Sequence, residues 1–344
     1  MKRILVIRFS ALGDVAMTIP VLHSLALQYP DRLISVLSRK AFQPLFAHLP
    51  ENVDFIAADL SGEHEGVTGL YRLFRHLKKR RFDGVADLHD VLRTRFLRLL
   101  FAFSGVHVVH IRKGRGEKRA LTRKRNKVFK PLKSSFARYA EVFDKLGLPV
   151  TWQFTSIYGE TRGESTAFAG VAGEKGTEKW IGIAPFAKHK GKTYPLEAME
   201  QVVARLTALE GVKLFLFGGG KEEEDLLTCW ERQYPRVVAL PGKLKMNGEL
   251  ALMSWLDVMV SMDSANMHLA SLVHTPVISV WGATHPWCGF MGWGQEPGLA
   301  LQVEMACRPC SIFGNKPCYR EDYACLHGIT PDMLFQRIKH FLQR

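Results

Sequence analysis

The stretch from Ile4 to Pro20, ILVIRFSALGDVAMTIP, constrains the fold more than any other. Ile4, Leu5, Val6 and Ile7 form an apolar, β-branched run of strand length, as a central strand of a parallel sheet requires. Arg8 to Gly13 break the pattern, and Asp14 opens a helical periodicity through Val15, Met17, Ile19, Leu22 and Leu25. In open α/β sheets ligands lie beyond the carboxyl ends of the strands. Helix N-termini there carry roughly half a unit of positive charge and unpaired N–H groups. Asp14 therefore belongs at the mouth of a crevice, where two readings fit: a working carboxylate, or an acid that merely complements the helix dipole. The loop has neither the G-x-G-x-x-G spacing of dinucleotide sites nor the G-x-x-x-x-G-K-[ST] spacing of phosphate loops.

The same alternation continues along the chain. Strands are expected at Leu33–Leu37, Val53–Ala57, Phe82–Asp90 and Val106–Ile111, with helices over Phe42–Leu49, Gly66–Arg81, Val91–Phe103 and Phe136–Leu146. From Val150 to Lys179 the pattern lapses into Gly, Thr, Ser and Glu, marking a linker over 151–179. A second series then follows. Its strands are Trp180–Ala184, Val212–Phe217, Val237–Leu240, Val258–Met262 and Val277–Trp281; its helices are Leu196–Leu209, Lys221–Tyr234, Gly248–Leu256 and Asn266–Val273. With no hairpin signals, this predicts two doubly wound parallel-sheet domains, 1–150 and 180–344, facing across a cleft.

Charge and compartment narrow the function. The formal net charge is +14, and Arg112–Lys133 holds eleven Lys or Arg against one acid, Glu117, with five more bases in Arg75–Arg81. Such runs attract nucleic acid, an anionic lipid surface or a polyanionic substrate, or simply form a solvated face. Phe129 is the one aromatic within the longer run, so the stacking platforms of a single-strand binder are missing and nucleic acid is not an expected partner. No run approaches the roughly 18 apolar residues of a membrane helix, and the apolar stretch after Met1-Lys2-Arg3 is too short for a signal peptide. A cytoplasmic protein with reduced cysteines is expected.

Three more segments could carry chemistry. Ser261 to His268 runs from a strand end into a helix, so free N–H groups near Ser264, Ala265 and Asn266 could hold a diphosphate, or Asp263 and Ser264 could serve only as caps. Lys188, Lys190 and Lys192 crowd a strand-to-helix loop, where an ammonium can neutralise a phosphate leaving group. Gly218, Gly219 and Gly220 permit close backbone approach to a ligand, and Glu222 beyond them could accept from a ribose. Cys307, Cys310, Cys318 and Cys325 have the spacing C-x₂-C-x₇-C-x₆-C, open to a tetrahedral zinc site or to reduced thiols in a compact loop.

The whole chain resembles glycosyltransferase family 9, the ADP-heptose lipopolysaccharide heptosyltransferases of GT-B fold, with two Rossmann-like domains. The resemblance rests on Arg8 to Val15, on the D-x-x-x-D-L-H-x-x-x-R-T stretch Asp83–Thr94, on Lys192-Thr193-Tyr194-Pro195, on Phe217-Gly218-Gly219 and on Asp263-Ser264-Ala265 with His268. The sequence departs from that family at Tyr194, where tryptophan is usual, and at Gly282-Ala283-Thr284-His285-Pro286, where G-P-T-x-P is expected. The resemblance implies an inverting, metal-independent enzyme, without cofactor, in which Asp14 is the general base and Lys192 stabilises the departing diphosphate. Donor contacts would come from Gly218, Gly219, Glu222, Asp263, Ser264, Ala265, Asn266 and His268. Acceptor contacts would come from Ser10, Gly13, Arg93, Arg112, Lys113, Arg115 and Arg119. The implied partners are ADP-heptose and an anionic lipid-linked glycan, met at the inner face of the cytoplasmic membrane.

Overall fold

The computed structural model describes residues 1–343, which fall into two compact units. The first comprises 1–113 and 133–157, the second 114–132 and the described residues from 158 onward. In the first, β1 (Arg3–Ile7), β2 (Leu33–Arg39), β3 (Val53–Ala58), β4 (Gly84–Asp87) and β5 (His107–His110) form a parallel sheet in the order β3-β2-β1-β4-β5. The order reverses between β1 and β4, whose register pairs Ile7 with Asp87. The loops leaving those two strands must therefore part there and open a crevice. One face of the sheet is covered by helices Gly66–Lys78 and Leu92–Phe103, which bury Leu70, Leu73, Leu77, Leu97 and Phe101 against Leu5, Ile7 and Val85.

The second unit repeats the scheme with β6 (Lys179–Ala184), β7 (Val212–Leu216), β8 (Val237–Ala239), β9 (Val258–Met262), β10 (Val277–Val280) and β11 (Ala300–Leu301), in the order β11-β10-β9-β6-β7-β8. Here the reversal lies between β6 and β9, which pair Ala184 with Ser261. A continuous core runs from Ile181, Ile183 and Val260 to Leu334 and Ile338 on the closing helix Pro331–Leu342.

The structure corrects the sequence reading in places. The opening helix is two, Leu12–Ala16 and Ile19–Gln28, with Pro20 in the first turn of the second, where a missing N–H costs nothing. The element expected at Phe42–Leu49 is a 3₁₀ helix, Lys40–Phe46, shaped around Pro44. The basic run, assigned by its place in the chain to the first domain, forms helix Arg115–Thr122 and packs with the second unit. Its contacts there give the reason: Phe129 packs tilted against Trp287 with ring centres 4.4 Å apart, Leu132 N donates to Trp287 O at 2.9 Å, and Lys127 Nζ donates to the carbonyls of Cys307 and Pro309. The expected linker is divided as well. Residues 151–157 stay with the first unit, where Thr151 N donates to Gln28 Oε1 and Gln153 N to Ser24 Oγ, and 158–179 belong to the second.

Candidate active site

At the crevice of the first sheet, Asp14 lies in the first turn after β1, and its Oδ2 takes an ion pair from Arg8 at 2.7 Å and the Ala11 N–H at 3.3 Å. Arg8 follows directly on the buried strand and is itself buried. It also donates to Leu88 O at 2.6 Å, tying the β1 loop to the β4 loop. Tyr139 lies under the guanidinium, 5.9 Å from ring centre to Cζ, and donates to the Asp14 carbonyl at 3.3 Å. Both of these contacts fall on Oδ2 of the carboxylate.

His89 crosses the switch point from the β4 side. Phe9 N donates to its Nδ1 at 3.4 Å, which leaves the proton on Nε2, 3.4 Å from Ser10 Oγ. Burial, reinforced by Arg8 and Lys113, pushes its pKa down to about 3, so the ring is neutral at physiological pH. Beneath it, buried Asp87 accepts the His89 and Asp90 N–H groups at 2.9 Å each and the Arg98 guanidinium at 3.1 Å. Burial would raise the pKa of Asp90, but its bonds from Arg95 and the charges of Lys113 and Arg98 outweigh this and hold it near 2. Lys113 Nζ donates to Asp90 O at 3.0 Å, and Arg138 to the Arg112 carbonyl at 3.1 Å.

Ser10, Gly13 and Asp14 thus lie on the β1 loop and the short helix after it, Arg93 is exposed on the helix after the β4 loop, and Arg112 and Lys113 follow β5. Arg115 and Arg119 belong to the other unit. Asp83 of the D-x-x-x-D motif lies at the opposite end of the strands, where Oδ2 accepts Lys2 N and Arg3 N at 2.6 and 2.8 Å. It anchors the N-terminus, away from the crevice.

At the second switch point, Lys192 Nζ stands 3.0 Å from Asp263 Oδ2, with Asp263 almost wholly buried. At this distance the two form an ion pair, and the ammonium, with three N–H donors, has donors beyond the one facing Asp263 for another anion. Lys192 is held by close packing. Ala283 N donates to Gly191 O at 2.8 Å, and Gly314, at φ +73°, lies so near that an added Cβ would sit 2.4 Å from Lys192 Cγ. Ser264, Ala265 and Asn266 open the helix Ala265–Leu272, whose N-cap Ser264 makes no side-chain bond to it, leaving its first N–H groups unpaired by that residue. His268 is buried one turn further on.

After β7, Gly218 and Gly219 lead to Gly220 at φ +92°, a conformation that disfavours a side chain. Glu222 is exposed, and it is the neighbouring Glu223 whose Oε2 accepts Gly219 N at 2.8 Å. Sequence reasoning missed Arg8, His89 and Arg308. Arg308 is buried and donates to the carbonyls of Trp281, Gly282 and Thr284, shaping the loop where the motif departs from G-P-T-x-P. Arg8 and His89 had usable signals, a charge placed directly after a fully apolar strand and the H of the D-L-H motif, but neither was given a role; Arg308 had none. The four tail cysteines are free thiols. Among the described residues no group of three or more His, Cys, Asp or Glu is arranged to hold a metal ion.

The profile of glycosyltransferase family 9 (heptosyltransferase) matches residues 70–311. The lipooligosaccharide heptosyltransferase 2 of Haemophilus influenzae is 26% identical over 297 residues, covering 82% of this chain and 84% of that one. The lipopolysaccharide heptosyltransferase 3 of Escherichia coli is 27% identical over 300 residues, covering 81% and 84%. Among solved structures, a family 9 glycosyl transferase from Veillonella parvula superposes with a TM-score of 0.74 at 19% identity, over 99% of this chain and 97% of that one. The E. coli ADP-heptose LPS heptosyltransferase II gives 0.72 at 20%, over 100% and 99%. The fold is the GT-B type that the motifs implied. Since the matched span takes in the β4 loop, both halves of the Lys192–Asp263 pair and the glycine loop between them, this chain belongs to glycosyltransferase family 9 and is a glycosyltransferase.

Proposed function

We propose that the enzyme transfers heptose from ADP-heptose to a lipid-linked lipopolysaccharide core, with inversion and without a metal, at the inner face of the cytoplasmic membrane. The observation that carries this reading is the Lys192–Asp263 pair at the second switch point, a cation with free donors beside the start of a helix. A diphosphate placed there meets an ammonium and unpaired N–H groups together, so charge developing on the leaving group is stabilised by protein. The glycosidic C–O bond to the diphosphate breaks as the acceptor oxygen bonds to the anomeric carbon, and the acceptor proton passes to Asp14. Arg8, Ala11 N–H and Tyr139 fix the orientation of Asp14. Ser10, hydrogen-bonded to neutral His89, retains its own proton to donate to the acceptor. The basic residues Arg93, Arg112 and Lys113 would meet acceptor phosphates.

Calorimetric titration with ADP, UDP, GDP and CDP in excess chelator tests the donor. Selective binding of ADP is expected, and heptose transfer from ADP-heptose should persist in chelator. Preference for another nucleotide would discard the heptose donor, and complete loss of turnover in chelator would discard the metal-free mechanism.

A further inference from the structure

The helix Leu92–Phe103 packs on the first sheet through Leu97 and Phe101, yet its opposite side is also apolar. Leu92 is 83% exposed, Leu99 54% and Phe103 87%. At 3.6 residues per turn these three fall within about 40° of one another, directly away from the core. An amphipathic helix on a water-facing surface carries polar residues there, so this stripe is a face without its partner. It starts one residue beyond the β4 loop that holds His89 and Asp90.

The exposed charge flanking the stripe on this helix and its neighbour is basic, the acids Asp87 and Asp90 beside them being buried in ion pairs with Arg98 and Arg95. The neighbouring helix Gly66–Lys78, joined to this one by Phe74 against Phe101 at 5.0 Å, exposes Arg72, Arg75 and Lys78. Neither 66–82 nor 91–112 contains a single Asp or Glu. Two copies of so basic a layer would repel one another, whereas an anionic bilayer supplies an apolar interior for the stripe and negative headgroups for its flanks. No helix among the described residues is long and apolar enough to cross a membrane. We infer that Leu92, Leu99 and Phe103 are the membrane-docking stripe of this enzyme, inserting into an anionic lipid surface so that the crevice beside Asp14 opens next to the headgroups. This rests on the proposed lipid-linked acceptor and names the surface that would meet its membrane.

The test is flotation of the full-length protein with vesicles of phosphatidylglycerol and phosphatidylcholine at 1:3, against phosphatidylcholine alone, with ADP binding measured on the same preparations. Wild type should float with the anionic vesicles only. The triple variant Leu92→Ser, Leu99→Ser, Phe103→Ser should lose at least about tenfold in partition while keeping its circular dichroism and ADP affinity. Leu27→Ser, at a leucine 45% exposed on helix Ile19–Gln28, should float like wild type and serves as the control. Undiminished flotation of the triple variant would overturn the inference. So would a wild-type dimer that the triple variant dissolves, with no vesicle binding. Loss of ADP binding with flotation intact would count against the proposed reaction and leave the docking stripe standing.

Discussion

At the residue scale, Asp14 and His89 separate chemistry from stability. Asp14→Asn keeps the shape of the side chain and removes its capacity to take a proton. Turnover is expected to fall at least about a hundredfold with ADP affinity nearly unchanged; near-normal turnover would remove Asp14 from the base role. His89 makes a different prediction. Its folded pKa of about 3 lies below the ordinary value of 6.5, so between those values the unfolded chain binds a proton that the native protein does not. Stability is therefore complete above about pH 6.5 and is lost as the pH falls through that window, at up to about 1.4 kcal/mol per pH unit. His285, buried and held near 4, adds to the same slope. Urea midpoints measured from pH 7.5 to 4.5 should fall steeply for wild type and less steeply for His89→Asn. Parallel curves would show that His89 is not the group responsible.

At the element scale, the Cys-containing tail is a buttress for the Lys192 loop. Gly314 touches Lys192, Arg308 stitches the 281–284 loop by its carbonyls, and Ala283 N in turn holds Gly191. Gly314→Ala combines a positive φ with a Cβ placed in the Lys192 stem, so it should displace the ammonium and weaken ADP binding severalfold, less than Lys192→Ala does. Calorimetry would check it, and unchanged affinity would show that the tail does not position the lysine. None of this was legible in the sequence, where the four cysteines drew attention to metal and Gly314 looked like any loop glycine. Ten strands were legible because each is a short apolar run closed by turn residues, whereas the two-residue β11 is too short to leave such a run and was not expected. The switch-point loops were legible because Asp14, Lys192 and Asp263 stand where such runs end. What escaped depends on contacts distant in sequence. Phe129 pins the basic arm to Trp287, 158 positions further on, and local periodicity carries no trace of that pairing.

At the scale of the whole molecule, the two units divide the proposed labour: the proton acceptor lies in one sheet's crevice and the leaving-group cation in the other's. A ligand that binds only the native state stabilises it by RT ln(1 + [L]/Kd), about 2.7 kcal/mol at one hundred times Kd. ADP should therefore raise the melting temperature of wild type and of Asp14→Asn by the same amount, since Asp14 belongs to the unit other than the one proposed to hold the diphosphate. Lys192→Ala complicates the absolute reading. It strands the buried Asp263 charge and lowers stability on its own account, as removing one member of a buried pair does. The quantity to compare is thus the ADP-induced shift and not the melting temperature. That shift should nearly vanish in Lys192→Ala, whereas a full shift there, or a diminished one in Asp14→Asn, would mean that donor recognition is not partitioned between the units in this way.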